Sequence, residues 1–142
     1  MINNILGFIN FFIPPPISKY LMLIRGVHFK RIQNTWIGSF CQFDNEYPEL
    51  IQIGSGVIVS YGVKIICHFE PTRQNISDGF NYTRNKVVIG NGVFVGAGVI
   101  IYPGVKIGDN CIISAGVILT KSISPNTIVK LKNTCITHSI KK

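Results

Sequence analysis

The stretch Ile65-Ile66-Cys67-His68-Phe69-Glu70 places a thiol, an imidazole and a carboxyl within four residues. Imidazole is the side chain whose ordinary pKa lies closest to neutrality, which makes His68 a candidate general base. Cys67 beside it raises a Cys–His nucleophile. Neighbours on an extended strand point to opposite sides, so His68 is not expected to reach that thiol. Glu70, two residues on, would share the direction of His68 and could assist it.

The elements that must position His68 follow from a repeat. Ile53, Val59 and Ile65, then Ile89, Val95, Ile101, Ile107, Ile113 and Leu119, recur at six-residue spacing, which is neither the 3.6 of a helix nor the two of an alternating strand. Three places later stands Gly or Asn in seven of the nine units. Such residues accept φ > 0 and so permit a tight corner. Each unit reads as a short strand plus a corner, with the aliphatic residue inward. Three units close a triangular coil of eighteen residues, and coils stack about 4.8 Å apart.

This is an all-β fold, a parallel β-helix of about four coils. The register breaks once, in an excursion over residues 71–88, and a weaker first coil is expected near Trp36, because Ile37 and Phe43 are also six apart. Ile65–Glu70 is read as still within the repeat, with Phe69 inward and His68 at a corner, where histidine is among the few non-glycine types found at φ > 0. Leu50 lies eighteen residues before His68, so of Asp44, Glu46 and Glu49 the last is the candidate to orient the imidazole from one coil below. The organisation expected is a partly helical cap over 1–34, with ISKYLMLIRG (Ile17–Gly26) as its best helix candidate, the β-helix over 35–124, and a tail from 125 to 142 that leaves the register.

Bulk properties narrow the function. Over 142 residues, 46% hydrophobic and 14% charged content suit one packed domain. The net charge of +8 suits an anionic partner such as nucleic acid, an anionic membrane or a phosphate-bearing ligand. No nucleic-acid-binding signature accompanies it, and no nucleic acid is expected. Cys41, Cys67, Cys111 and Cys135 form no C-x-x-C pair and read as reduced thiols. No metal is expected. A three-histidine metal site of the γ-carbonic-anhydrase kind would need more than His68 inside the repeat, and His28 and His138 lie outside it. Leu6, Phe8, Ile9, Phe11, Phe12 and Ile13, with bases downstream, form either a cap on the first coil or a patch docking on an anionic membrane. A prism this thin buries only a narrow column, so packing of its flat faces into a homo-oligomer is expected.

Residues Ile53–Val129, above all "VVIGNGVFVGAGVIIYPGVKIGDNCIISAGVILTKSISPNTIV", resemble the hexapeptide-repeat acyltransferases, and "YPELIQIGSGVIVSYGVKIICH" resembles the first half of bacterial polysaccharide and sugar O-acetyltransferases. The resemblance implies a left-handed coil and a homotrimer with sites between subunits. It implies acetyl-CoA as donor and a sugar or glycan-precursor hydroxyl as acceptor, in surface polysaccharide biosynthesis. His68 would be the base, as in some capsule-type members, whereas many members carry the catalytic histidine two residues later, often in an H-x-H pair, where this chain has Glu70. Gly96, Ala97, Gly98, Ser114 and Ala115 match positions near the pantetheine arm, Thr120 and Lys121 match those near the phosphates, and Phe94 stands where Trp is common. In place of the family's A-G-N-P-A the chain reads Lys130–Thr134, where Lys130 and Lys132 could attract phosphates as point charges. In the excursion, Arg73, Tyr82 and Arg84, with Phe80, Asp78 and Lys86, suit either a sugar-phosphate acceptor or packing on a neighbouring subunit. An amino-sugar N-acetyltransferase and a non-catalytic β-helix scaffold are the competing readings. The expected location is cytoplasmic, with peripheral contact at the inner membrane face.

Overall fold

The computed structural model describes residues 17–79 and 81–131, with Ile5, Pro14 and Pro15. The apolar run from Leu6 to Ile13, Phe80, Lys132, Cys135 and His138 lie outside the described residues. Among those described, no helix is long and apolar enough to cross a membrane.

The six-residue repeat produces strands of mostly two residues. Helix α1 (Ser18–Ile24) precedes the first coil of β1 (His28–Arg31), β2 (Trp36–Ile37) and β3 (Gln42–Phe43). The second coil is β4 (Ile51–Ser55), β5 (Ile58–Val59) and β6 (Lys64–Ile65). An excursion follows with β7 (His68–Phe69), α2 (Arg73–Ser77) and β8 (Thr83–Arg84). Then come β9 (Val87–Ile89), β10 (Phe94–Val95) and β11 (Ile100–Ile101); β12 (Lys106–Ile107), β13 (Ile112–Ile113) and β14 (Ile118–Leu119); and β15 (Ile128–Val129). Stacking gives three parallel sheets, β1-β4-β9-β12, β2-β5-β10-β13-β15 and β3-β6-β11-β14, here faces A, B and C.

Each repeat residue therefore sits on its equivalent in the next coil. On face C, Phe43 pairs with Ile65, Ile65 with Ile101 and Ile101 with Leu119, all buried. All seven Gly/Asn corners have positive φ, among them Gly62 at 67° and Asn110 at 56°, and Phe40 joins them at 61° in the first coil.

The stack is wider than the sequence suggests. β1 pairs with β4 and β15 pairs with β13, so residues 28–31 and 125–129 belong to it. After Leu119 the coil is shortened by two residues, since Ile123 bridges Ile107 and Ile128 pairs with Ile112 at an offset of sixteen instead of eighteen. That shortening hid the continuing register.

The two larger departures from the stack leave by the corner between faces C and A, and a two-residue one, the turn at 32–35, leaves by the corner between faces A and B. Residues 44–50 bulge out after β3, and residues 68–85 bulge out after β6. The excursion is closed at its neck: Asn85 N–H donates to Cys67 O at 2.9 Å, and β7 pairs antiparallel with β8. Thr72 caps α2, accepting from Asn75 N–H while Asn75 Oδ1 accepts from Thr72 N–H. Two expectations are corrected here. His68 is extended strand and absent from the positive-φ residues, and Phe69 is 52% exposed. The chain leaves the prism at Cys67, whose buried side chain ends the inward series before the i+4 slot is reached.

The first coil has no coil beneath it, so the carbonyls along its lower edge need donors. Helix α1 supplies them through three buried side chains. Ser18 Oγ donates to Ile37 O at 3.0 Å, Lys19 Nζ to Thr35 O at 3.0 Å, and Arg25 Nη2 to Phe43 O at 3.1 Å and Asp44 O at 2.8 Å. This end is capped by donor chemistry as much as by apolar cover.

Close stacking also predicts which glycines tolerate a methyl group. A Cβ at Gly54 would lie 2.5 Å from the carbonyl carbon of Gly90, while one at Gly62 would meet nothing within 4 Å. Gly62→Ala should therefore cost only the positive-φ strain of about 1–2 kcal/mol, and Gly54→Ala clearly more. Urea unfolding compares them, and equal losses would contradict the stacking account. Ile101→Ala, in the middle of the core column, should cost about 2–5 kcal/mol in the same assay.

Candidate active site

His68 stands where the excursion leaves the prism, above the bulge that follows β3. Its Nδ1 lies 2.7 Å from Asp44 Oδ2. The Asp44 side chain is 1% exposed and that of His68 24%. An ionised carboxylate only accepts, so Nδ1 carries the hydrogen, and in the neutral imidazole Nε2 keeps its lone pair. Among the described residues Nε2 has no hydrogen-bond partner. The ring also stands edge-on to Tyr47, with centroids 5.3 Å apart at 69°, and the Arg84 guanidinium covers Tyr47 at 4.4 Å. The imidazole is thus held at one nitrogen and along one edge.

Asp44 is held more tightly still. Its Oδ1 accepts from Glu46 N–H and Tyr47 N–H, each at 3.0 Å, and its Oδ2 accepts from Cys67 N–H at 2.7 Å besides His68. Burial works against the charge. The Tyr47 and Cys67 amides, His68 and the Glu46 amide outweigh it and hold the carboxyl below the usual aspartate range. The same carboxylate ties the bulge (44–50) to the root of the excursion (Cys67–His68), so two irregular segments share one acceptor.

Asp44, not Glu49, orients the imidazole; Glu49 is exposed and has no hydrogen bond to His68. The eighteen-residue count misled because the bulge lengthens that coil. Phe43 pairs with Ile65, an offset of 22, and this offset puts Asp44 under Ile66. The signal was available in the Ile37/Phe43 spacing. Glu70 is exposed beyond β7, with no hydrogen bond to His68. Cys67 is fully buried, and burial first, then Asp44 and Glu49, push its thiol up to about 12, which leaves no thiolate for nucleophilic attack near neutrality.

Two open clefts share Ile66 and His68 as a wall. One, of about 570 Å³, is polar, with Gln42, Glu46 and Lys64 in its lining. The other, of about 420 Å³, is lined by Phe69, Thr83, Tyr102 and Pro103. Of the donor candidates, Gly96, Ala97 and Gly98 stack beneath Ser114 and Ala115 at the corner between faces B and C; Gly116 N–H donates to Ala97 O at 2.8 Å. Thr120 and Lys121 follow β14 at the other end of face C and are exposed. These residues flank face C, which runs down to His68. Phe94 lies apart, facing outward from face B. Lys130 is exposed just after β15. In the excursion Arg84 pairs with His68 across β7 and β8, whereas Arg73, Tyr82 and Asp78 stay exposed away from the imidazole. Tyr47 and Arg25 belong to this site and carried no signal in the repeat. Among the described residues no group of three His, Cys, Asp or Glu side chains is placed to hold a metal ion.

The Asp44 network predicts an acid limb of stability. An unfolded aspartate titrates near 3.9, and the native one lower. The stability that Asp44 contributes is complete above about pH 4 and is lost as pH falls through the native value. Urea unfolding between pH 7 and pH 3 should show this loss, and Asp44→Asn should be less stable at neutral pH with a flatter acid limb. An unchanged limb in the variant would contradict the assignment.

Residues 86–121 match the family model described as bacterial transferase hexapeptide (six repeats). Galactoside O-acetyltransferase of Escherichia coli (strain K12) is 30% identical over 119 residues, covering 84% of this chain and 56% of that protein. The chain spans about half the length of the curated relatives it matches. Among solved structures, a galactoside acetyltransferase in complex with coenzyme A superposes with a TM-score of 0.63 at 24% identity, over 89% of this chain and 72% of that one. A hexapeptide-repeat acetyltransferase from Vibrio cholerae O1 biovar eltor, complexed with acetyl coenzyme A, gives 0.65 at 16% identity, over 89% and 78%. At these identities the structural likeness speaks to the fold, a left-handed parallel β-helix. By its repeat and its coil, the chain is similar to the hexapeptide-repeat bacterial transferases.

Proposed function

We propose that this protein is an acetyl-CoA-dependent O-acetyltransferase acting on a sugar hydroxyl, with His68 as general base. The observation that carries the reading is the Asp44–His68 pair, 2.7 Å apart, at the wall shared by two clefts. Nε2 takes the proton of the acceptor hydroxyl as the oxygen attacks the thioester carbonyl carbon. Collapse of the tetrahedral adduct breaks the C–S bond, and the imidazolium returns the proton to the departing thiolate. Asp44 stabilises the imidazolium and fixes its tautomer without itself gaining the proton. No covalent enzyme intermediate is required.

The polar cleft, with Gln42, Glu46 and Lys64, suits a sugar. The donor would lie along face C between the open corners at Ala97, Gly98 and Ala115 and the exposed Lys121, where small residues allow close approach of the arm and a cation meets phosphate. The relative that acts on galactosides supports a saccharide acceptor. We place that acceptor in surface polysaccharide precursors, with the protein working as a homotrimer in the cytoplasm. Face B supports assembly. Trp36, Ile58, Phe94, Ile112 and Ile128 stand in one register down the sheet, each at least 40% exposed, and a second copy would cover them.

Thiol release from acetyl-CoA in the presence of mixed saccharides tests the reaction. His68→Ala should lose about 10²–10⁴-fold in turnover, while calorimetry shows acetyl-CoA binding unchanged. Turnover equal to wild type would remove His68 from the mechanism, and absence of acetyl-CoA binding in wild type would remove the donor. For assembly, Ile58→Glu should shift the sedimentation coefficient to that of a monomer. A wild-type monomer at micromolar concentration would end the trimer proposal.

A further inference from the structure

Of the two buried cations at the cap, Lys19 and Arg25, the second meets the main chain that carries Asp44. Arg25, the residue after α1, is 4% exposed. Its Nη2 reaches three successive residues: Phe43 O at 3.1 Å, Asp44 O at 2.8 Å and Asn45 Oδ1 at 2.7 Å. Its Nη1 lies 3.4 Å from Met22 Sδ, and its Nε is buried without a partner. Desolvation works against the guanidinium's charge, and the attraction of Asp44 partly restores it.

Capping alone does not explain this residue. Ser18 and Lys19 cap the first coil at Ile37 and at Thr35 and Gln33 with one donor atom each. Arg25 instead grips the point where the chain turns out of the prism, taking in a side chain as well as two carbonyls. That point carries the Asp44 carboxylate. Phe43 is locked in the core on one side and Asp44 N–H donates to Ile65 O at 2.9 Å, while further along the bulge is held by buried Pro48 and by Tyr47 and Leu50 against the core. Between these anchors, among the described residues, only Arg25 binds the Asp44 carbonyl and the Asn45 side chain, so without it the peptide linking Asp44 to Asn45, next to the carboxylate, would lose its restraint.

We propose that Arg25 is a positioning residue: from the end of α1 it fixes the main chain at Phe43–Asn45 and so holds the Asp44 carboxylate against His68 Nδ1. The turn that ends α1 then serves the Asp44–His68 pair as well as the first coil. The kinetic half of this proposal rests on the reading of His68 as base; the structural half does not.

The test uses the full chain with Arg25→Met, Arg25→Lys and Arg25→Ala, and Lys19→Met as a cap variant remote from Asp44. The readouts are kcat, the KM for acetyl-CoA, the unfolding midpoint in urea, and the low-field proton of His68 Nδ1–H by NMR, assigned by its loss in His68→Ala. The expected result is a kcat lower by roughly 10- to 100-fold in the Arg25 variants with KM unchanged, since a misplacement of about 1 Å is enough for such a loss. The Nδ1–H proton should broaden into solvent exchange. Millimolar guanidinium should restore part of the kcat of Arg25→Ala. Lys19→Met should lose stability and keep both kcat and the proton.

Retention of the proton and of kcat in folded Arg25→Met overturns the proposal, and so does an equal loss of kcat in Lys19→Met. If Arg25→Met fails to fold, Arg25→Lys decides, because it keeps charge and donors but its Nζ ends about one bond short of the place from which Nη2 reaches the three acceptors. Should His68→Ala turn over like wild type, the reading of His68 falls by itself, and the Nδ1–H proton still decides whether Arg25 holds the pair.

Discussion

The backbone ladder between coils constrains everything else in this molecule. An N–H on one coil meets a carbonyl on the next only if both coils present the same geometry at the same height, as Ile66 N–H does with Ile101 O at 2.9 Å and Tyr102 N–H with Leu119 O at 3.0 Å. Extra residues can therefore enter only where the chain turns. The two larger insertions enter at one corner, between faces C and A, once after Phe43 and once after Cys67, and a two-residue insertion enters between faces A and B at 32–35. Because the two larger departures are stacked, the segments that leave the prism there emerge beside each other. The site is a consequence of that coincidence: a carboxylate from the lower bulge and an imidazole from the upper excursion.

The two irregular segments are joined through polar groups, where the prism is joined through apolar ones. Asp44 accepts from three main-chain amides and from His68, and is nearly inaccessible to water. A buried carboxylate with this many donors retains its charge, whereas one with fewer would take up a proton and lose its hold on the imidazole. Tyr47 and Arg84 fix the ring from the side. The orientation of His68 thus depends on a hydrogen-bonded network that has two discrete anchors, the core at Phe43 and the cap at Arg25.

The faces of the prism divide the remaining work. Face C carries the path from the small-residue corners down to His68. Face B carries an apolar ladder suited to a second copy. The lower end is closed by Ser18, Lys19 and Arg25, whose donors satisfy carbonyls that no further coil can reach. These are separate solutions to separate constraints, and a change in one should be felt in another only where they share a residue, as they do at Asp44.

The six-residue period and its Gly and Asn corners dictated the coil, the inward column and the place of the long excursion, because each depends on residues close together in the chain. His68 was legible for the same reason: it breaks a regular slot just before the register ends. Its partner was not. Glu49 is the residue that a uniform eighteen-residue coil would bring near, and the bulge after Phe43 changes that offset to 22, so Asp44 takes the position. The continuation of the stack to Val129 was hidden by a coil two residues short. Arg25, Tyr47 and Arg84 have no signature in the repeat, since what they do depends on a carbonyl edge, a ring face and a strand pairing that exist only after folding. Sequence alone determined the prism. The tertiary structure decided which carboxylate meets the imidazole, because that pairing depends on how two insertions of different length stack at one corner.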